Sequence, residues 1–473
     1  MTSTFKTPAW VEPREYQQEA VRAWFKHNGQ GMYNMATGTG KTITSLLTAG
    51  QVAANFDQLF LVIAVPYQHL VDQWAGDVRE FGVEPVLAYK SRRQWQGTLE
   101  RQLAAYHAGA RDAVVVIVTH ATFASKPFQR LVARIPSRSA MLIADEAHHL
   151  GAPHLRSGLS ERFKQRLALS ATPERWYDEE GTEELMEYFS GVVYEYGLQA
   201  AIKNGALCPY YYIPHIVQLT ADETEEYLTL TRTIGRLASR FNGNLSDADL
   251  QGNSSLQFAL FKRARLVGTA ENKLTRLNEL IDQMDSVDHT LVYCGDGSIG
   301  NEETGKMKRH VDAAVDELRA KGLRVNRFTA RETQADREKL LEEFRQGELE
   351  ALVAIRCLDE GVDVPATRTA FMLASSSNPR QFVQRRGRIL RTHPGKEFAV
   401  IHDFIAVPAG GGSLTGLEGD AFNAERSLIR SELERVSTFT EAAINHPDAD
   451  VPGIPSGEGS LRELKRMYNL RHM

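Results

Sequence analysis

The chain has 473 residues, with 55 Lys+Arg against 60 Asp+Glu, a formal charge of −5, and 42% apolar and 24% charged residues. At roughly 100–200 residues per domain this predicts two to four domains, and the composition excludes a wholly disordered chain, a collagen and a small disulfide scaffold. The bulk charge announces no nucleic-acid binder, so any such binding has to come from a local basic cleft.

The N-terminal residues 1–10 carry no long apolar core, so no signal peptide is expected. A short apolar strand, 31–35, leads into a Gly-rich loop and a helical segment, 43–56. The runs 59–66 (LFLVIAVP), 113–120 (AVVVIVTH), 140–145 (AMLIAD) and 165–170 (QRLALS) are continuous rather than alternating in polarity. That pattern predicts the buried strands of a parallel sheet. All of them fall short of the ~20 residues a membrane helix needs, so no membrane association is expected. Tyr210–Tyr212 reads as a strand entering a connector, and from about 219 to 284 strand signals stop. Thr220 caps an apparent helix there, and a polar patch spans 242–255.

A second strand set follows at 289–294, 323–330, 350–355, 368–373 and 397–404. Amphipathic stretches separate its members: 308–322 ends on Gly322, 333–347 runs from a capping Thr333 to Gly347, and 378–392 opens on Asn378. Beyond it, 406–419 is Gly-rich, 422–445 is helical, 447–460 is rich in Pro, Gly, Ser and Asp, and 461–470 is a short helix. Strand–helix alternation occurring twice predicts two α/β domains. The boundaries are 1–213, a helical connector or insert over 214–285, a second domain over 286–407, and a partly flexible C-terminal extension over 408–473. The three cysteines, Cys208, Cys294 and Cys357, lack metal-type spacing. A reducing, cytoplasmic setting is expected.

Two motifs carry chemistry. Ala36-Thr37-Gly38-Thr39-Gly40-Lys41-Thr42 sits between a strand and a helix, the context a P-loop requires, although Ala36 replaces the first glycine of the strict pattern. Gly38 and Gly40 let backbone N–H groups converge on phosphate oxygens at a helix N-terminus. Lys41 supplies a point charge to the β/γ-phosphates of ATP, and the Thr42 hydroxyl is a ligand for Mg²⁺. Asp145-Glu146-Ala147-His148 ends an apolar strand. Asp145 is placed to hold Mg²⁺ and Glu146 to orient or deprotonate the attacking water. Both motifs fall at the carboxyl ends of predicted strands, where open α/β sheets bind ligands.

With these motifs the sequence resembles superfamily 2 helicases and translocases over roughly residues 10–404. Arg14-Glu15-Tyr16-Gln17 is similar to the family's adenine-reading segment, which implies roles for Gln17 and Arg14. Pro66–Trp74 and Thr119–Phe123 resemble segments that touch the nucleic-acid backbone, implying contacts from Pro66, Gln73 and Thr119. Ser170-Ala171-Thr172-Pro173 resembles the motif that couples hydrolysis to nucleic-acid grip, through Ser170 and Thr172. The segment 358–365 (LDEGVDVP) places Asp363 on a ribose-contacting acid, and 384–391 (QRRGRILR) resembles the arginine-finger motif. His148 takes the family's coupling role. The segments 271–277, 329–344 and 378–391 point to the branch containing XPB, RadD, UvsW and type III restriction translocases. The resemblance implies two tandem RecA-like P-loop domains with ATP and Mg²⁺ between them. Gln384, Arg388 and Arg391, spaced i, i+4, i+7, share a face if 378–392 is one helix, so Arg388 and Arg391 could point together at a transferring phosphate. For Arg385 and Arg386 a basic solvated face competes with a functional reading. Trp74 reads as core.

The implied function is an ATP-driven motor on nucleic acid, with the branch favouring DNA over RNA, in repair or in restriction and phage defence. The alternative is a nucleic-acid-stimulated ATPase acting as a switch or loader in a larger assembly. No nuclease motif is visible, so cutting would need a protein partner, for which the C-terminal extension is a candidate docking element.

Overall fold

The computed structural model describes residues 4–56, 58–171, 178–238, 254–300, 307–355, 364–374, 379–409, 420–457 and 461–470. The chain divides into two compact units, Met1–Asn204 and Gly205–Met473.

The first unit holds strands β1 (Gln30–Met35), β2 (Leu59–Val65), β3 (Val86–Ala88), β4 (Ala113–Thr119), β5 (Ala140–Ala144), β6 (Gln165–Ser170) and β7 (Val192–Tyr196). They form one sheet in the order β3-β4-β2-β5-β6-β1-β7, with every pairing parallel. Every residue of β2, β4, β5 and β6 is buried. That is why β2 and β5, and β4 up to Thr119, are apolar throughout rather than alternating. Phe60, Val62, Val116 and Leu142 pack in one cluster with Trp95, Leu99, Tyr106 and Phe128.

The second unit contains β8 (Tyr210–Gln218), β9 (Thr290–Tyr293), β10 (Ser298–Gly300), β11 (Met307–Arg309), β12 (Val325–Phe328), β13 (Ala351–Ala354), β14 (Thr369–Met372) and β15 (Ala399–Val407). Its main sheet runs β12-β13-β9-β14-β15-β8, again all parallel, and β10 and β11 form a separate antiparallel pair. Two parallel sheets threaded by helices bear out the tandem α/β expectation.

The region expected to be a helical connector divides differently. Its first residues belong to β8, which pairs with β15 from Tyr210 to Gln218. Pro214 inside this run weakens its strand signal, and β8 is accordingly an edge strand, where a missing N–H is tolerated. Helices Ala221–Ala238, Ser254–Gly268 and Glu271–Asp282 follow. The polar patch at 242–255 lies almost wholly outside the described residues. Helix Asp420–Thr440 packs on helix Ala221–Ala238. Its Arg435 forms a buried ion pair with Asp403 of β15, Nε to Oδ2 at 2.9 Å, and Tyr212 of β8 donates to the same oxygen at 2.8 Å. Tyr468, just past helix Leu461–Met467, donates its hydroxyl to Glu425. The described part of 408–473 is thus packed into the second unit. Among the described residues no helix is long and apolar enough to cross a membrane.

Candidate nucleotide site

Because the first sheet is all parallel, the segments after β1, β2, β4, β5 and β6 emerge along one edge. β6 lies between β1 and β5, so Ser170 stands between the Gly-rich loop and Asp145 in the order of the sheet. Asn34 of β1 is in register with Ser170, and Ala144 of β5 with Ala168 of β6. Helix Lys41–Phe56 starts directly after the loop, and its first-turn N–H groups are donors without intrahelical partners, an anion-binding arrangement.

Gly38 and Gly40 have φ of +90° and +78°, which side chains with a Cβ rarely adopt. A Cβ on Gly40 would also stand 3.2 Å from Gln17 Nε2, so the Gln17 amide lies against the loop. Its other amide atom, Oε1, accepts the Arg14 N–H at 3.0 Å, which seats Arg14 at the start of helix Glu15–Lys26. Tyr16 donates to Thr39 O at 2.7 Å and stacks on Tyr196 at 4.1 Å. Thr39 Oγ1 donates back to Ala36 O at 2.7 Å. Lys41 Nζ donates to Met35 O at 3.0 Å. The buried Thr37 hydroxyl has no hydrogen-bond partner among the described residues, as expected of a loop that completes its bonds on a ligand.

Asp145 follows β5 and is half-buried. Burial pushes its carboxyl above the usual range; the Trp74 indole, the Lys41 ammonium and the Glu146 amide oppose that. Trp74 Nε1 donates to Asp145 Oδ2 at 2.9 Å, and Glu146 N to Oδ1 at 3.0 Å. Both carboxylate oxygens are therefore oriented. Glu146 sits at φ +44°, ψ +50°. A non-glycine residue in the left-handed region carries strain of the sort concentrated at functional sites. His148 is buried, with Nδ1 at 3.5 Å from Glu146 Oε2. His120 is buried beside them, and burial with the neighbouring His149 lowers its imidazole to about 3, so the ring is neutral. Lys41, Thr42 and Asp145, a cation, a hydroxyl and an oriented carboxylate at one sheet edge, fit a nucleotide phosphate with a hard divalent ion.

Among the residues expected to touch nucleic acid, Gln73 is exposed, Pro66 half-buried and Thr119 buried. The Thr119 hydroxyl caps helix His120–Phe123, accepting Thr122 N.

In the second unit the arginine-bearing helix is Pro379–Ile389. Gln384 and Arg388 lie on it and are buried. Arg391 does not: the helix ends first, and Arg391 forms a backbone bridge with Leu207. The shared-face expectation therefore holds for Gln384 and Arg388 alone. Arg385 and Arg386 form no solvated basic face. Arg385 donates to Ala374 O at 3.0 Å over the Tyr293 ring, and Arg386 to Thr438 O at 2.6 Å over the Phe439 ring.

The family described as "Type III restriction enzyme, res subunit" matches residues 11–175, and the family "Helicase conserved C-terminal domain" matches residues 272–393. Together the two matches support a superfamily 2 helicase or translocase. It is 25% identical to "DNA 3'-5' translocase XPB2" of Sulfurisphaera tokodaii over 80% of this chain and 79% of that protein. It is 26% identical to "Putative DNA 3'-5' helicase Rad25" of Haloarcula marismortui over 80% of this chain but only 50% of that one. The Pyrococcus furiosus Hef helicase domain has a similar fold, with a TM-score of 0.53 at 17% identity, covering 84% of this chain and 95% of that structure. The type ISP restriction-modification enzyme LlaBIII bound to DNA aligns with a TM-score of 0.59 at 16% identity, over 99% of this chain and 33% of that one. The helicase-family matches and these relatives support a nucleic-acid-dependent ATPase or helicase of the XPB and restriction-enzyme branch.

Thr172 and Asp363 lie outside the described residues, as do Asn378 and Cys357. Sequence reasoning passed over Trp74. The residue reads as core and is only 2% exposed, yet its N–H orients the carboxylate of the superfamily's acidic motif. Nothing in its local sequence signals that, since its partner lies across the sheet edge.

Proposed function

We propose that this chain is an ATP-driven motor on DNA. The observation that carries the reading is the convergence of Lys41, Thr42, Asp145, Glu146 and Ser170 along one sheet edge, in a chain whose relatives are named DNA translocases and helicases. Amides at the start of helix Lys41–Phe56 and the Lys41 ammonium bind the β- and γ-phosphates. The Gln17 amide and Arg14 read the adenine. Thr42 and Asp145 would hold Mg²⁺, which when bound neutralises charge on the phosphate oxygens. Glu146 orients the attacking water and accepts its proton. Arg388 stabilises charge on the transferring phosphoryl group, Arg391 assists from beyond the helix end, and Asp363 contacts the ribose. His148, Ser170, Thr172 and Gln384 relay the nucleotide state to the nucleic-acid track at Pro66, Gln73 and Thr119. A cytoplasmic setting belongs to the same proposal, supported by the buried free thiols Cys208 and Cys294. So does a nuclease or repair partner docking on 408–473.

The test is ATP hydrolysis measured with no polymer, single-stranded DNA, double-stranded DNA and RNA, beside a strand-displacement assay. DNA is expected to stimulate most, and stimulation by RNA alone would overturn the choice of track. Affinity for single strands should fall with salt at a log–log slope near −0.7 per phosphate neutralised. With a net charge of −5 the attraction has to be local.

Glu146→Gln is expected to trap ATP. Asp145 keeps both of its oriented oxygens, and the amide keeps the shape at 146 while losing the ability to accept a proton. Hydrolysis should fall about 10²-fold or more, while ATP-dependent DNA affinity rises. Loss of ATP binding in that variant would show that the roles of Asp145 and Glu146 are wrongly divided.

A further inference from the structure

Lys396 is 9% exposed, and its ammonium donates to three carbonyls: Ile389 O at 2.5 Å, Arg391 O at 2.9 Å and Pro365 O at 3.2 Å. An ammonium has three donors, and these three carbonyls converge on it beside the Cys208 thiol. They come from two places. Ile389 ends the arginine-bearing helix and Arg391 lies two residues beyond it, whereas Pro365 closes the 358–365 segment. The last carbonyls of a helix lack intrahelical partners, and a cation there also complements the helix dipole. A compact ammonium suits three converging carbonyls, which the planar fork of an arginine does not.

The backbone supports the same junction. Cys208 N donates to Leu390 O at 2.8 Å, and Lys396 N to His393 O at 3.0 Å. The helix body is tied separately to the chain just past the end of strand β14: Arg385 donates to Ala374 O at 3.0 Å, and Lys273 Nζ donates to the neighbouring Leu373 O at 2.6 Å. With its body already tied, the helix has its far end set by Lys396.

We propose that Lys396 is a positioning residue that locks the end of the arginine-bearing helix to Pro365, so that a shift in either is felt by Arg388 and Arg391. The inference rests on the reading of Arg388 as a phosphate-stabilising residue. Lys396 acts through backbone carbonyls and touches no reacting atom. Burial lowers its ammonium to about 8; the Cys208 thiol beside it opposes that shift and Arg368 adds to it. Arg391, His393 and Glu397 are the charged and titratable groups of its own chain segment. A lysine with a lowered value is cationic below about 8 and neutral above it. The junction is therefore mostly held at neutral pH and loosens as pH rises through about 8.

The test uses the full chain with single-stranded DNA, and four variants: Lys396→Met, Lys396→Arg, Arg388→Ala, and Lys396→Met with Arg388→Ala. Lys396→Met should lower kcat about 30-fold while affinity for a fluorescent ADP analogue stays within about 3-fold of wild type. Adding Lys396→Met to Arg388→Ala should cost less than about 3-fold more than Arg388→Ala alone, because Lys396 acts through Arg388. Losses that simply multiply would overturn the proposal, as would an unchanged kcat in Lys396→Met. Should Lys396→Met fail to fold, the pH profiles decide. Wild-type kcat should decline through a midpoint near 8, and Lys396→Arg, which stays charged, should lack that step; the same step in both would overturn the proposal. An unaffected Arg388→Ala would remove the reading of Arg388 instead, whatever Lys396 does.

Discussion

Arg388→Ala is expected to bind ATP nearly normally and to hydrolyse it on the order of 10³-fold more slowly, the loss seen when an arginine that stabilises phosphoryl-transfer charge is removed. The residue is buried on helix Pro379–Ile389, so truncation also deletes packing. Arg388→Lys separates the two effects. It keeps the charge and much of the stem but loses the planar fork, so it should stay folded and remain slow. The competing account is an arginine that grips the DNA backbone. It expects weaker DNA binding with basal hydrolysis untouched, and that pair of results would remove Arg388 from the chemistry.

Lys41→Ala should abolish turnover, with a loss of about 10²–10³ or more, because a fixed positive charge disappears from the transferring phosphate. Stability should change by less than about 0.5 kcal/mol, since Lys41 is half-exposed and belongs to no hydrophobic cluster. A second consequence follows from its neighbour. The Lys41 ammonium is one of the groups holding the buried Asp145 carboxyl down against desolvation. Without it that carboxyl rises further, so residual activity should fall off at higher pH on the acid side than in wild type. Near-native hydrolysis in Lys41→Ala would refute the assigned site.

The nucleotide loop and the acidic motif were legible in the sequence because phosphate and metal chemistry need several residue types at fixed local spacing. The parallel sheets were legible because strands covered on both faces are apolar throughout. What escaped was set by tertiary structure. Trp74 meets Asp145 only because β2 and β5 are neighbours in the sheet. Arg391 leaves the helix that its spacing placed it on, and Arg385 and Arg386 turn inward to Ala374 and Thr438. No periodicity in 378–392 distinguishes those directions. β8 was half-hidden by Pro214, whose place on an edge strand is evident only once the sheet order is known.

The pairing of β8 with β15 bears on how the chain is made. Residues 210–218 have to wait for residues 399–407 before their hydrogen bonds are satisfied, and the Asp403–Arg435–Tyr212 contact waits longer still. Emerging from the ribosome at about 5–20 residues per second, the chain passes roughly 10–40 seconds with an unpaired apolar strand. The first sheet can close as soon as β7 is complete, because its strands lie within residues 30–196. Birth order therefore imposes such an interval on both units, since β1 also waits for β6, but the longer one falls on the second. Its late closure carries the entropic cost of a long loop and an exposed edge open to foreign strands, which makes this half of the molecule the natural client of a holding chaperone during synthesis.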